Sequence, residues 1–177
     1  NPADDNNLCT WSMRCLLIED GNRLILIDTG IGDKQSEKFF SHYHLMDTKT
    51  LEQSLNKLGF GLDQITDVFL SHLHFDHAGG LGELRRCGCG AEIHVQKNEI
   101  DAAMSGQDLA CFRDDFVEQG PLLIKQGEYE LTAGVRAISS PGHTAGRSAH
   151  LSFRLITALF GHSGIEWDVT QASAEER

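Results

Sequence analysis

The sequence predicts a mixed α/β (α+β) fold in which helices cover mixed β-sheets. The first observation is a pair of apolar runs with strand character, residues 13–19 and 23–27, joined by the hairpin signal Asp20-Gly21-Asn22. The second is a helical segment over residues 51–58, in which leucine recurs at helical spacing. Because 177 residues with 40% hydrophobic content can bury one core, we expect a single domain over residues 1–177.

The other elements follow from the same signals in chain order. We expect Thr48 to cap the leucine-rich helix and Gly59 to end it. An acidic connector over residues 63–67 then leads into the apolar strand Val68-Phe69-Leu70. A brief helix at residues 81–86, a strand at 91–96 and a second helix at 97–103 come next. Four strands follow at residues 122–124, 129–131, 135–138 and 148–153, and a last apolar run covers residues 155–160.

Composition argues against two classes of partner. The net charge is −11 and the pI is near 5.1, whereas nucleic acid binding requires a basic surface. No apolar run approaches the length that crosses a bilayer, so we expect no membrane partner. The five cysteines are odd in number and irregularly spaced, which favours a reducing compartment, the cytoplasm. The chain begins at Asn1 without an initiator Met, which leaves a removed leader and a secreted or periplasmic protein open.

The most specific signal is a cluster of histidines and one aspartate directly after the strand at residues 68–70. It contains His72, His74, Asp76 and His77. Imidazole nitrogens and carboxylate oxygens bind zinc-like cations that keep an open position for hydrolysis. In an extended strand the first two histidines share one face and His77 points away, so the chain must turn at Asp76-His77. Such a turn can offer His72 and His74 to one ion and Asp76 and His77 to a second.

This His-x-His-x-Asp-His pattern after a buried strand resembles the signature of the metallo-β-lactamase superfamily. Residues 24–30 are similar to the early strand of that family, which ends in Asp-Thr-Gly, and residues 140–146 resemble its second metal loop. The motif, together with residues 91–97 and 127–131, looks most like the N-acyl homoserine lactonases. The resemblance implies an αββα sandwich of two mixed sheets flanked by helices, with metals at one edge between the sheets.

The resemblance also implies a metal ligand and a supporting residue outside the motif. His143 follows Pro141-Gly142, which fix a loop geometry that can aim one side chain inward. It would join His72 and His74 around the first ion. Asp28 ends the early strand and is expected to orient a ligand imidazole from behind. As a turn residue it could equally cap backbone amides.

His162 has two interpretations within the family pattern. By its order after the second metal loop, it would replace the bridging Asp that the family carries there. By local sequence, the apolar–Gly–His run at residues 159–162 resembles the final family ligand, at the end of the last strand. We favour the second, in which His162 joins Asp76 and His77 around the second ion. The segment with the bridging Asp would then be missing between about residues 150 and 159.

The remaining histidines are interpreted as non-ligands. His42 and His44 have His-x-His spacing but no adjoining carboxylate, so we expect them at the surface or in a pocket wall. His94 and His150 lie within strand-like runs and are expected to be half-buried.

The implied chemistry is hydrolysis of a small-molecule carbonyl substrate. Two cations lower the pKa of a shared water, and the resulting hydroxide attacks a lactone or related carbonyl. Asp76 is expected both to bind metal and to pass a proton to the leaving group. We expect two zinc ions, although Fe, Mn or Co also suit imidazole-rich sites.

The expected substrate is an N-acyl homoserine lactone. Phe39-Phe40 and residues 112–117 are expected to line either its acyl pocket or the core. The alternatives are a β-lactamase-like or glyoxalase II-like hydrolase, or a metal-binding but catalytically impaired scaffold. The last is considered because a section of the usual domain, with the bridging Asp and the Tyr that the lactonases use beside it, has no counterpart in this sequence.

Overall fold

The computed structural model describes residues 3–46, 49–105 and 122–139 of the chain. The strands in these ranges are β1 Thr10–Trp11, β2 Leu16–Asp20, β3 Arg23–Ile27, β4 His44–Leu45, β5 Asp67–Phe69, β6 Glu92–Gln96, β7 Leu122–Lys125, β8 Tyr129–Thr132 and β9 Val135–Ala137. The helices are α1 Glu37–Phe40, α2 Leu51–Lys57, α3 Phe75–Ala78, α4 Leu81–Arg86 and α5 Lys97–Met104, with a 3-10 turn at Leu62–Gln64. No described helix has the length and apolar character needed to span a membrane.

A five-stranded sheet with the order β2-β3-β5-β6-β7 organises the described chain. Strands β2 and β3 are antiparallel, with Leu16 opposite Ile27, and the turn between them contains Gly21 at a φ of +61°. The predicted hairpin is therefore confirmed. All other neighbours in this sheet are parallel, and helices lie along the chain between β3 and β5 and between β5 and β6. The carboxyl ends of β3, β5 and β6 consequently meet at one edge of the sheet.

One face of this sheet packs against helices and forms the main core. Alternate residues of the central strands point to that face, and their partners come from α2, α4 and α5. The buried members from the strands are Leu24, Leu26, Val68, Ile93 and Val95, and those from the helices are Leu55, Leu81, Leu84 and Ala103. Burial of this apolar layer fixes the sheet, and with it the place where the histidine motif leaves β5.

The hairpin β8–β9 lies on the opposite face of the sheet. The ring of Tyr129 lies 6.4 Å from that of Phe69 on β5, and Arg23 of β3 donates a hydrogen bond to the carbonyl of Leu131. Helices thus cover one face of the main sheet and strands the other, as the αββα arrangement requires. The predicted strand at residues 148–153 and the last apolar run, at residues 155–160, lie outside the described residues.

The cap of α2 differs from the prediction. The N-cap is Thr50 rather than Thr48, which lies outside the described residues. The Thr50 hydroxyl accepts a hydrogen bond from the Gln53 amide at 3.2 Å, and the Gln53 side chain accepts one from the Thr50 amide at 3.3 Å. This reciprocal capping box decides the start of the helix, because it satisfies two amides that lack partners within the helix. Gly59, at a φ of +87°, follows its end as predicted.

Candidate metal centre

The histidine motif is a loop and a short helix rather than a continued strand. Strand β5 ends at Phe69, and no strand is assigned to His72 or His74, so a loop rather than a regular strand carries these two histidines. His74 is the N-cap of α3, and the helical turn that follows contains Asp76 and His77. Successive residues of a helix point about 100° apart, and this rotation supplies the turn expected at Asp76-His77.

The structure brings the polar side chains of the motif together. His72, Asp76 and His77 each offer a ligand atom, and these atoms lie within 4.8 Å of one another. The ring of His72 lies 3.9 Å from that of His77 and 4.5 Å from that of His74. His72 is buried, whereas the other three side chains are partly accessible. The ligand atoms of His72, Asp76 and His77 therefore form one group, and the ring of His74 contacts His72 beside it.

Asp28 supports this cluster from the end of β3. Its Oδ2 accepts a hydrogen bond from His77 Nδ1 at 2.8 Å, and its Oδ1 accepts one from the Ser71 amide at 2.8 Å. Asp28 thus bonds to an imidazole and caps a backbone amide at the same time, and its role behind a metal ligand stays a prediction. The residue has a φ of +60°, a left-handed conformation that non-glycine residues adopt at an energetic cost. This left-handed conformation places the Asp28 carboxylate within hydrogen-bond distance of Ser71 and His77.

The role of Ser71 in the site was not predicted from the sequence. Its hydroxyl oxygen lies 2.8 Å from Asp28 Oδ2, 3.1 Å from His72 Nδ1 and 3.3 Å from His77 Nδ1. The available signal was its position, immediately before the first histidine of the motif. A hydroxyl there can reach both the carboxylate beneath the loop and the first imidazole.

Close backbone packing holds the turn between α3 and α4. A Cβ atom on Gly79 would lie 2.3 Å from the carbonyl oxygen of Ile31, and one on Gly80 would lie 2.3 Å from that of Thr29. Both distances are far below van der Waals contact, so any larger residue would force the segments apart. The Thr29 amide also donates to the carbonyl of His77 at 2.7 Å. The backbone of the segment that follows β3, at Thr29 and Ile31, therefore fixes the position of His77.

An aromatic cluster lies beside the motif. The Phe75 ring, between His74 and Asp76 in sequence, makes an edge contact with Phe39 at 5.1 Å and lies 5.6 Å from Tyr43. Phe39 is partly exposed, so the cluster forms a wall next to the site rather than a sealed core. Residues 112–117, the second segment expected to line a pocket, lie outside the described residues.

The donor set fits a divalent cation. Nδ1 of His72 faces Ser71 and Nδ1 of His77 faces Asp28, so Nε2 is the candidate coordinating nitrogen of each ring. Nε2 of His77 lies 3.5 Å from Asp76 Oδ2. Imidazole nitrogens with carboxylate oxygens are the ligands of hydrolytic zinc sites, and a carboxylate behind a ligand histidine is their usual support. The two remaining predicted ligands, His143 and His162, lie outside the described residues.

A second carboxylate–histidine group lies at the other end of β5, between the main sheet and β8–β9. Asp67, Glu92 and His94 bring ligand atoms within 4.8 Å. The guanidinium of Arg23, however, donates to both oxygens of Asp67, from Nε to Oδ2 at 2.9 Å and from its NH2 group to Oδ1. His94 Nε2 lies 2.9 Å from Asp67 Oδ1. This group is therefore an ion-pair network in which a positive charge from the chain itself already meets the carboxylate.

The network corrects the interpretation of His94 and sets the charge of Asp67. His94 is buried rather than half-buried, because its ring packs beneath the Tyr129 hairpin and bonds to Asp67. Burial tends to raise the pKa of Asp67, but hydrogen bonds from Arg23, Thr66 and His94 outweigh it and lower this pKa to about 2. Asp67 is thus ionised, and His94 Nε2 donates to it.

The sequence profile of the metallo-beta-lactamase superfamily matches residues 14–154. This chain belongs to the metallo-beta-lactamase superfamily. It is 28% identical over 165 residues to the N-acyl homoserine lactonase of Bacillus cereus, covering 85% of this chain and 60% of the relative. It is 29% identical over 153 residues to N-acyl homoserine lactonase AiiA of Bacillus thuringiensis subsp. kurstaki, covering 81% and 58%. The chain thus spans about three-fifths of the length of these relatives.

Solved structures of the superfamily share the fold. An N-acyl homoserine lactone hydrolase with N-hexanoyl-L-homoserine bound at its catalytic metal centre matches with a TM-score of 0.60 at 28% identity, over 73% of this chain and 54% of that one. A probable metal-dependent hydrolase from Staphylococcus aureus matches with a TM-score of 0.64 over 76% and 51%, and its 23% identity supports the fold alone. The predicted metallo-β-lactamase fold and the resemblance to lactonases are confirmed.

Proposed function

We propose that this member of the superfamily is a metal-dependent hydrolase that opens the lactone ring of N-acyl homoserine lactones, a quorum-quenching activity. The observation that carries the proposal is the convergence of His72, Asp76 and His77, with ligand atoms within 4.8 Å, above the supporting carboxylate of Asp28. The similarity to proteins named as N-acyl homoserine lactonases supports the choice of substrate.

The proposed cofactor is a pair of zinc ions, with Fe, Mn or Co as chemically suitable substitutes. When bound, such a pair supplies a hydroxide nucleophile near neutral pH and polarises the substrate carbonyl. The first two histidines of the motif and the histidine of the second metal loop would hold the first ion, and the remaining motif residues and the last histidine would hold the second. These proposed ligands are His72, His74 and His143 for the first ion, and Asp76, His77 and His162 for the second.

The chain itself contributes proton transfer and substrate positioning. Asp76 lies 3.5 Å from His77 Nε2 and has a partly accessible side chain, so its carboxylate can take a proton from the attacking water. It then delivers that proton to the ring oxygen as the carbonyl carbon–oxygen bond of the lactone breaks, which yields a hydroxy acid. The aromatic wall of Phe39, Tyr43 and Phe75 offers an apolar surface for the acyl chain.

We further propose that the chain is one domain and acts in the cytoplasm. A continuous core that joins α2, α4 and α5 to the central strands supports the single domain. The four described cysteines are thiols, and burial, followed by the charge of Asp28, raises the pKa of Cys15 to about 12. A partly buried, protonated thiol is stable in a reducing compartment.

The direct test is hydrolysis of a substrate panel by the zinc-loaded chain. We expect turnover of an N-acyl homoserine lactone to exceed that of a chromogenic cephalosporin and a glutathione thioester. The variant His72→Ala should lose hydrolysis and at least one equivalent of zinc, whereas His42→Ala, which removes an exposed histidine outside the cluster, should keep both. Full activity in His72→Ala would refute the proposed site.

The same panel separates the competing functions. Faster turnover of the cephalosporin would assign a β-lactamase-like activity, and faster turnover of the thioester a glyoxalase II-like activity. Stoichiometric zinc without turnover of any substrate would assign a metal-binding scaffold. Treatment with a chelator should abolish hydrolysis and added zinc should restore it, because the nucleophile depends on the metal.

A further inference from the structure

One hydroxyl group contacts ligand rings that are proposed for different metal ions. The oxygen of Ser71 lies 3.1 Å from Nδ1 of His72 and 3.3 Å from Nδ1 of His77. The same oxygen lies 2.8 Å from Oδ2 of Asp28, and the Ser71 amide donates to Oδ1 of that carboxylate at 2.8 Å. Asp28 therefore contacts both the amide and the hydroxyl of Ser71, and these two contacts keep the hydroxyl next to both imidazoles.

The direction of these hydrogen bonds follows from the number of protons available. A hydroxyl has one proton to donate and two lone pairs that accept, whereas an ionised carboxylate only accepts. At 2.8 Å the Ser71 proton must therefore go to Asp28 Oδ2. The lone pairs of Ser71 then face Nδ1 of His72, which can only donate to them. His72 is held with its proton on Nδ1.

The opposite polarity is unfavourable on two counts. If Ser71 donated to His72 Nδ1, two oxygens without a proton between them would face each other 2.8 Å apart at Asp28. His72 would also carry its proton on Nε2, the nitrogen that must be bare to bind a metal.

We infer that Ser71 is a positioning residue that fixes the Nδ1-protonated tautomer of His72 and so presents its Nε2 for metal binding. Asp28 thereby orients ligands of both ions, His77 by a direct hydrogen bond of 2.8 Å and His72 through the Ser71 hydroxyl. The inference deepens the proposed function and rests on its ligand assignment. A single carboxylate then controls the ring orientation and tautomer of two histidines.

The first test reads the tautomer without metal or substrate. In the zinc-free full chain at about pH 8, where histidine is mostly neutral, nitrogen NMR should show His72 as the Nδ1-protonated form. In Ser71→Ala the acceptor is gone, so the Nε2-protonated form should appear. Ser71→Thr keeps the hydroxyl and should keep the wild-type tautomer. An unchanged His72 tautomer in Ser71→Ala overturns the inference.

The second test reads zinc affinity by competition with a chelator. Loss of a residue that orients a metal ligand typically costs ~10- to 100-fold in affinity, so at least one zinc-binding step of Ser71→Ala should weaken by about that factor. Ser71→Thr should stay within ~3-fold of wild type, since it restores the acceptor. A changed tautomer with unchanged zinc affinity would overturn the role in metal binding.

The role of Ser71 can be tested even if Ser71→Ala does not fold, and independently of lactone hydrolysis. If Ser71→Ala fails to fold, Ser71→Cys has similar size and only a weak hydrogen-bonding group, so the same two readouts apply to it. Neither readout involves a lactone. A chain that shows the tautomer and affinity changes but hydrolyses no lactone contradicts the proposed function alone, whereas a lactonase without those changes contradicts only the role of Ser71.

Discussion

A carboxylate–imidazole pair lies near each end of β5, and the two pairs serve opposite purposes. At its start, Asp67 accepts a hydrogen bond from His94 at 2.9 Å, and near its end, Asp28 accepts one from His77 at 2.8 Å. The first carboxylate also meets the guanidinium of Arg23. Among the described contacts, the second accepts hydrogen bonds from the neutral amide and hydroxyl of Ser71 besides its histidine.

The difference lies in where the balancing positive charge comes from. Arg23 brings that charge within the chain, which stabilises the packing of the β8–β9 hairpin on the sheet. The described ion pairs of Asp28 and Asp76 are made with His77, whose charge depends on protonation. A cluster of this kind gains most from an external cation. The closed network of Asp67, whose carboxylate is balanced by Arg23, therefore stabilises the fold. The open cluster around Asp76 and His77, which has no such balancing charge among its described ion pairs, is suited to binding a metal cation.

The largest expected effect comes from the open cluster. Replacing Asp76 with Asn removes a proposed ligand charge and the group that moves the proton, while its shape is kept. Loss of a proton-transfer group typically costs 10²- to 10⁴-fold, so we expect kcat/KM for lactone hydrolysis to fall by at least ~10³-fold. The melting temperature of the zinc-free chain should remain within a few degrees. Activity within ~10-fold of wild type would remove Asp76 from the mechanism.

Mutation of the closed network should lower stability and leave metal binding unchanged, the reverse of the effect expected for Asp76. Asp67→Asn keeps the size of the side chain but leaves Arg23 without its charge partner, and we expect a loss of about 2–3 kcal/mol in the free energy of unfolding. This value is moderated by the partial exposure of Arg23, whose side chain is 34% accessible. Urea unfolding measures the loss, and zinc stoichiometry of the folded variant should be unchanged. Wild-type stability in Asp67→Asn would show that the ion pair contributes nothing.

The pH dependence of stability gives a finer test of the same network. The pKa of Asp67 is lowered from 3.8 to about 2, so the folded state favours its ionised form. Its contribution, about 2 kcal/mol, is therefore complete above about pH 4 and is lost as the pH falls through about 2. In urea unfolding, the gap between wild type and Asp67→Asn should narrow steadily over this window. A gap that stays constant would contradict the shifted pKa.

The smallest effect is expected far from both pairs, at the cap of α2. Thr50→Ala removes the hydroxyl that accepts from the Gln53 amide at 3.2 Å. We expect a loss of about 1 kcal/mol in unfolding free energy, with zinc binding unchanged. Thr50→Ser keeps the hydroxyl and serves as the matched control. Equal losses in the two variants would indicate that the methyl group, not the cap, matters.

Elements with strong local patterns were predictable. The hairpin β2–β3, the helices α2, α4 and α5, and the strands β5 to β9 follow runs whose periodicity or turn residues act over a few positions. The short strands β1 and β4 were missed, because their pairing with each other and the packing of Tyr43 against Trp11, at 4.9 Å, stabilise them. The buried network of His94 was missed for a related reason, since Asp67 lies 27 positions from His94 and Arg23 lies 44 positions from Asp67.

The superfamily and the candidate ligand residues of the motif could be predicted from residue types at fixed spacing, because coordination chemistry admits few side chains. The tertiary fold decided which nitrogen of each ring is available. That choice depends on Asp28 and Ser71, which β3 and β5 bring together from positions 43 residues apart. Parallel pairing of these strands places their ends side by side, and no local pattern in the chain encodes that contact.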